Sequence, residues 1–210
     1  MSSICPLCHS KGLKIHHSRN RDYYQCKQCT GVFVGKVAFL SANEEKKRYD
    51  NHSDDITQKG YQDFVSPCVL TVVNNFKTTD KGLDFGCGRS EVVAKLLQQK
   101  GYDTVGYDPY YKPNTYLLNS KYNYITSCEV IEHFNTPAVE FQRLKSLLLP
   151  NGKLILQTSI LTSKIDFESW YYKNDPTHVF FYTQQCFQYI QSFYGFTSLE
   201  IENNLAVLSF

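Results

Sequence analysis

The chain has 210 residues, 42% hydrophobic and 15% aromatic, with 22 Lys or Arg against 20 Asp or Glu. That suits one full domain plus a small appendage, with enough apolar material for a core. No apolar run approaches the ~18 residues of a membrane span and the first residues are polar, which excludes a spanning helix and a secretion signal and leads us to expect a soluble, cytoplasmic protein.

The charge is uneven. Residues 1–50 hold nine Lys or Arg against four Asp or Glu, and the remainder thirteen against sixteen. A mildly basic front end permits a nucleic-acid or phosphate partner without requiring one. Within it, "CPLC" at Cys5–Cys8 and "CKQC" at Cys26–Cys29 lie 17 residues apart. This is the spacing of a closed four-cysteine zinc site: each C-x-x-C turn offers two sulfurs, and a hairpin between them brings the turns together. "LKIHHS" and "YYQC" read as its strands. A structural Zn²⁺ on Cys5, Cys8, Cys26 and Cys29 is therefore expected, with His9 as a possible competing ligand and His16 and His17 on the hairpin surface. The other four cysteines are scattered singly and read as buried free thiols rather than a disulfide framework.

Next comes a polar stretch with spaced aromatics, 41–66. Ser41 followed by Glu44 and Glu45 resembles a helix start. The stretch is either a solvated helix and linker, or a segment that folds Arg48, Tyr49, His52 or Tyr61 back over a ligand site.

"KGLDFGCGRSEVVAKLLQQKGYDTVGYDPYY" follows the order strand, glycine turn, helix, strand, acid. Gly86 and Gly88 make the turn, Ser90 is the expected helix cap and Gly101 the stop, so the two strands should be parallel with a right-handed crossover. Glycine lets a ligand pass close to the backbone, and Asp108, at the tip of the second strand, can accept ribose hydroxyls. The third glycine of a dinucleotide fingerprint is replaced by Glu91, which argues against NAD.

"LDFGCGRS" resembles the first motif of the class I S-adenosylmethionine-dependent methyltransferases, and "VGYDPYY" their second. "YNYITSCEVIEHF" is similar to their fourth-strand motif, and "LLLPNGKLILQTS" to the turn and fifth strand that follow. The resemblance runs from about residue 81 to 210. It implies an α/β, Rossmann-like fold with a mostly parallel seven-stranded sheet and an antiparallel last strand, for which "TSLEIE" and "LAVLSF" supply the closing hairpin. It also implies S-adenosylmethionine as cofactor, with Asp84, Gly86 and Gly88 at its methionine end and Asp108 on its ribose. The organisation read from this is a zinc ribbon over 1–40, a helical connector over 41–66 and the methyltransferase domain over 67–210. Only 15 residues separate Asp108 from Tyr124. The family fits a helix and a third strand there, so that strand is expected to be missing or vestigial, with adenine held by the loop through Pro109 and Tyr110.

The fourth strand ends in Glu129, Glu132 and His133, an E-x-x-E-H pattern, where this fold binds ligands. It resembles the ubiquinone-pathway O-methyltransferases and the small-RNA 2′-O-methyltransferases, which use the pattern to hold a divalent metal. In the RNA enzymes a second histidine follows the fifth strand; here His178 stands 45 residues after His133. The resemblance implies a second ion, Mg²⁺, Mn²⁺ or Fe²⁺, on Glu129, Glu132, His133 and His178. Two other readings stay open: His133 or His178 as a metal-free base, or residues that shape the cofactor pocket, with Glu129 at the cofactor and the next helix capped. No Asn/Asp-Pro-Pro-Tyr/Phe motif follows the strand, which disfavours amino methylation of adenine bases.

The long segment "SILTSKIDFESWYYKNDPTHVFFYT" holds the only Trp. Phe167, Trp170, Tyr171 and Tyr172 form a lid or stack on a flat substrate, or else pack against the ribbon or sheet. "DPTHVFFYT" reads as a turn leading into a helix; it also resembles a string in a group of bacterial zinc-ribbon methyltransferases. The leading expectation is a methyltransferase acting on a small-molecule hydroxyl. The alternatives are an RNA methyltransferase that docks RNA through the ribbon, and a non-catalytic S-adenosylmethionine-binding protein. Oligomeric state is not legible.

Overall fold

The computed structural model describes residues 2–51 and 57–210. The front end is an antiparallel hairpin system: β1 (Ser2–Ile4), β2 (Lys11–Ser18), β3 (Arg21–Cys26) and β4 (Val32–Val34). His17 is exposed, but the His16 ring tucks against Tyr23 and Phe167 rather than lying on the surface.

Helix α1 (Ala42–Asp50) begins at the expected cap: the Ser41 N–H donates to the Glu44 carboxylate at 2.9 Å. Helix α2 (Lys59–Asn75) runs without a break across position 66. Pro67 inside it lacks the N–H that Asp63 would have received, and the Ser66 hydroxyl donates to the Asp63 carbonyl instead, at 2.8 Å.

The chain then alternates as expected. Strand β5 (Lys81–Phe85) leads through the glycine turn to α3 (Val92–Gln99) and β6 (Asp103–Tyr107). The helix starts later than the sequence suggests: its cap is Glu91, held at φ 52°, not Ser90. After β6 come only a 3-10 turn (Thr115–Asn119) and β7 (Tyr122–Cys128), so the third strand of the fold is absent. Helix α4 (Pro137–Leu147) and β8 (Leu148–Gln157) follow, then the aromatic segment, β9 (Phe180–Phe181), α5 (Gln184–Tyr194) and the hairpin β10 (Ser198–Glu202) and β11 (Leu205–Ser209).

The main sheet has six strands in the order β10-β11-β8-β7-β5-β6, with β6, β5, β7 and β8 parallel and β11 antiparallel to β8. Alternation along the strands divides the core. Tyr124 and Ile155 face α2 and α3; Ile125, Leu154 and Leu156 face α4 and α5. The ribbon packs on this second face. Cys5, Leu7, Cys26, Cys29 and Phe33 belong to the same buried cluster as the sheet and α5.

The ribbon sheet is completed from the other end of the chain. Its order is β1-β2-β3-β4-β9, with Val32 opposite Phe181 and Phe33 opposite Phe180. "DPTHVFFYT" is thus more than a turn into α5. Two of its residues form a strand of the ribbon, and Thr183 caps the helix by accepting the Cys186 N–H at 3.0 Å.

Candidate active site

A cavity of about 690 Å³ opens at the carboxyl ends of β5, β6 and β7. Its floor is the glycine turn. Gly86 has φ +80°, and a Cβ there would sit 2.5 Å from the Val130 methyl carbons. A side chain is therefore forbidden twice, by conformation and by space.

Asp108 ties the turn to the next loop. One carboxylate oxygen accepts the N–H groups of Tyr110 and Tyr111 at 2.8 and 3.0 Å; the other accepts the Gly88 N–H at 3.1 Å. Three of its roughly four lone-pair positions are used, leaving one for a ligand hydroxyl. Asp84 lies deeper, at 3% exposure, where Thr126 Oγ1 donates to it at 3.0 Å. Burial first, then the charges of Glu91 and Asp108, push its pKa up to about 7. Asp84, Gly86, Gly88, Asp108, Pro109 and Glu129 all line the cavity, so the volume, the side-chain-free turn and the unused acceptor fit a nucleoside cofactor such as S-adenosylmethionine.

Helix α1 roofs this cavity. Tyr49 and Tyr61 line it, while Arg48 points elsewhere, to Asp175 at 2.8 Å. His52 lies outside the described residues. Two roof contacts had no sequence signal: Tyr110 donates to the buried Glu45 at 2.6 Å, and Asn135 Nδ2 to its other oxygen at 3.4 Å. Glu45 is identifiable afterwards only as the residue one turn before Tyr49.

At the end of β7 the candidate cluster divides. Donor atoms of Glu132, His133 and His178 lie within 4.8 Å of one another. Glu129 is not in that group. Its backbone sits at φ 52°, its N–H donates to the Gln157 carbonyl at 2.8 Å, and it lines the cavity. The expected four-residue ion site is thus three residues, with Glu129 tethered through Tyr172. The buried Tyr172 hydroxyl is 2.6 Å from Glu132 and 3.0 Å from Glu129, and Thr158 Oγ1 donates to Glu132 at 2.9 Å. Burial, then the Glu132 charge, pushes Glu129 up to about 8.

Both imidazoles are oriented by backbone. His133 Nδ1 faces the Thr177 carbonyl at 3.1 Å, and His178 Nδ1 faces the Tyr172 carbonyl at 2.8 Å. A carbonyl only accepts, so each Nδ1 carries a proton, and in the neutral imidazole Nε2 is the atom with the lone pair. Burial lowers the His178 pKa to about 4, so it is neutral at pH 7. Two carbonyl-oriented imidazoles beside a carboxylate fit a divalent transition ion or Mg²⁺. Of the three, only His133 lines the cavity.

The aromatic segment does not cover the site. Trp170 and Tyr172 are buried with Tyr23, Val32, Val34 and Phe181 of the ribbon, Phe167 packs beside them, and Tyr171 is exposed. Of the two readings left open for this segment, packing against the ribbon is the one the structure shows, because the apolar ribbon face offers these rings more burial than solvent does.

In the ribbon, all four cysteine sulfurs converge within 4.8 Å, with Cys5 and Cys29 3.7 Å apart and Cys8 and Cys26 3.2 Å apart. A tetrahedron with Zn–S near ~2.3 Å has edges of about 3.8 Å, which the Cys5–Cys29 separation matches, so the four converging thiols fit zinc. His9 is not part of the cluster.

A family model described as a methyltransferase domain matches residues 37–201. Among solved structures, the Burkholderia thailandensis 1,6-didemethyltoxoflavin-N1-methyltransferase, with 1,6-didemethyltoxoflavin and S-adenosylhomocysteine bound, is similar at 11% identity and TM-score 0.56, covering 93% of this chain and 97% of that one. An O-methyltransferase family protein of Burkholderia thailandensis is similar at 10% identity and TM-score 0.53, covering 79% of this chain and 61% of that one. Human N-acetylserotonin methyltransferase, in complex with S-adenosylmethionine, is similar at 13% identity and TM-score 0.53, covering 70% and 52%. The chain thus spans less than two thirds of the length of the last two, and at these identities the likeness shows the fold alone. No curated protein matches the chain. No described helix is long and apolar enough to cross a membrane.

Proposed function

The chain belongs to the methyltransferase-domain family, with the class I S-adenosylmethionine-dependent fold, and from that membership we propose that it methylates a hydroxyl of a small molecule. The cofactor supplies the activated methyl group as a sulfonium. The protein's task is to align the acceptor and take its proton.

The convergence of Glu132, His133 and His178, with His133 lining the cavity, carries the hydroxyl assignment. Asp108 holds the ribose with its remaining lone pair, the glycine turn lets the methionine chain pass close to the backbone, Glu129 faces the cofactor, and Pro109 and Tyr110 flank the adenine. Glu132, His133 and His178 would hold a divalent ion, which would lower a bound hydroxyl's pKa and orient it. His133 is the only one of the three that lines the cavity, so an ion held there would meet the acceptor oxygen on that side. A metal-free reading has its own support: Glu132 already accepts the Tyr172 and Thr158 hydroxyls, so His133 can act as base beside a satisfied carboxylate. Docking of RNA by the ribbon draws no support from the relatives reported above.

Metal analysis of purified protein tests the assignment. One equivalent of zinc plus a second, chelator-labile ion is expected, together with calorimetric binding of S-adenosylhomocysteine. Full methylation of a catechol-type acceptor in EDTA would eliminate the ion and leave His133 as base. Failure to bind S-adenosylhomocysteine would sink the enzyme reading.

A further inference from the structure

The ribbon strand β3 reaches into the catalytic side of the molecule. Arg21, at 7% exposure, is one of the few buried cations of the chain. Burying a guanidinium costs several kcal/mol unless its donors are met. Here they are met by main chain. Nη1 donates to the Asp175 carbonyl at 2.8 Å and the Lys173 carbonyl at 3.3 Å, and Nη2 donates to the His178 carbonyl. Tyr23, two residues on, donates to the same Lys173 carbonyl at 3.1 Å. Arg21 Nε is left buried without a partner, so the fold tolerates one lost hydrogen bond to keep the other three.

The segment so gripped is the one that carries His178. The Tyr172 carbonyl, adjacent to Lys173, orients the His178 ring. The His178 carbonyl is itself an Arg21 acceptor, and the Val179 carbonyl accepts the Val34 N–H of β4 at 2.9 Å. On its other side the Val179 N–H donates to the Glu132 carbonyl at 2.9 Å, so the ribbon, His178 and Glu132 share one hydrogen-bonded path.

We propose that the ribbon is a positioning element for methyl transfer, in which Arg21, backed by Tyr23, fixes the 172–178 segment and thereby the orientation and tautomer of His178. Arg21 touches neither cofactor nor acceptor; it acts through the loop. The functional weight given to His178 rests on the activity proposed above, but the positioning itself does not.

The test uses the full, zinc-loaded chain with ¹⁵N-labelled histidine and long-range ¹H–¹⁵N correlation, the His178 line being assigned with His178→Gln. Wild type should show His178 as a single Nδ1–H tautomer. Arg21→Ala should move that line toward a tautomer mixture, with zinc retained at one equivalent and S-adenosylhomocysteine affinity within about two-fold, because the glycine turn is remote from β3. Arg21→Lys, whose ammonium can reach some of the same carbonyls, should restore part of the wild-type pattern. Where Mn²⁺ is used as a probe ion, its affinity should fall about 10- to 100-fold in Arg21→Ala, as for other supports of metal-binding histidines. An unchanged His178 line in Arg21→Ala would overturn the proposal. If Arg21→Ala loses zinc, Tyr23→Phe decides: it removes one hydrogen bond to Lys173 and should still shift His178 more than His133, and equal or absent shifts overturn it. None of these readouts needs the acceptor, so a missing methylation activity would count against the proposed function and not against the positioning.

Discussion

Asp84 shows how a buried carboxylate under the cofactor turn links stability to pH. Its folded pKa of about 7 lies above the ~3.9 of an unfolded aspartate. The folded state therefore binds the proton more tightly, and this contribution to stability is fully present below pH ~4 and is lost as pH rises through about 7. Asp84→Asn is neutral throughout. The stability of the variant relative to wild type should rise between pH 4 and 7, by up to ~1.4 kcal/mol per unit. Urea midpoints that stay parallel across that range would contradict it. Gly86→Ala should cost ~1–3 kcal/mol, since its Cβ meets the Val130 methyls in a left-handed backbone. Val130→Ala in that background should recover the steric part only, leaving the conformational part visible in a double-mutant cycle. Asp108→Ala should weaken S-adenosylhomocysteine about ten-fold or more by calorimetry, because it frees three backbone N–H groups as well as removing the proposed ribose acceptor. The placement of these residues was legible beforehand because it is local: a turn needs glycine, and a strand tip presents an acid. Tyr172, Thr158 and Arg21 were not legible in those roles. Their partners are 14 to 157 residues away in sequence, and nothing in the local pattern marks a phenol as a bridge between two carboxylates.

Helix α1 is nine residues long, too short to be stable in isolation. It is held by its cap and by side-chain contacts to four separate loops: Glu45 to Tyr110 and Asn135, Asp50 to Tyr111 and Arg89, and Arg48 to Asp175. Burial opposes ionisation of Asp175, yet the Thr177 hydroxyl and N–H and the Arg48 guanidinium hold its pKa well below the usual range. Ser41→Ala should cost the helix ~1 kcal/mol. Amides of α1 should then exchange faster while those of β5 and β7 do not, and S-adenosylhomocysteine should bind several-fold more weakly. Undiminished binding with a frayed α1 would show that the roof contributes nothing to the cofactor. The start of this helix was readable from Ser41 and Glu44, and the missing third strand from a 15-residue gap. Strand β9 was not, because two residues in a loop carry no period, and only the β4 edge makes them a strand.

The ribbon and the sheet share one buried cluster, so a zinc ion on the four cysteines would bear on the stability of the whole molecule. Structural zinc contributes ~10–16 kcal/mol of apparent binding energy in small sites, comparable to the ~5–15 kcal/mol that keeps a domain folded. Stripping it should lower the midpoint of a single thermal transition seen equally by near-UV and far-UV circular dichroism. A small early transition followed by an unaltered main one would show that the ribbon melts by itself.

Sharing a sheet between the first and last quarters of the chain has a consequence for biosynthesis. β4 leaves the ribosome about 150 residues before the strand that pairs with it, an interval of roughly 7–30 s at ~5–20 residues per second. Throughout that interval the nascent ribbon carries an uncovered Val-Phe-Val edge, the sort of template on which other chains add strands. Early zinc capture organises the hairpin, but only the arrival of Phe180 and Phe181 closes it.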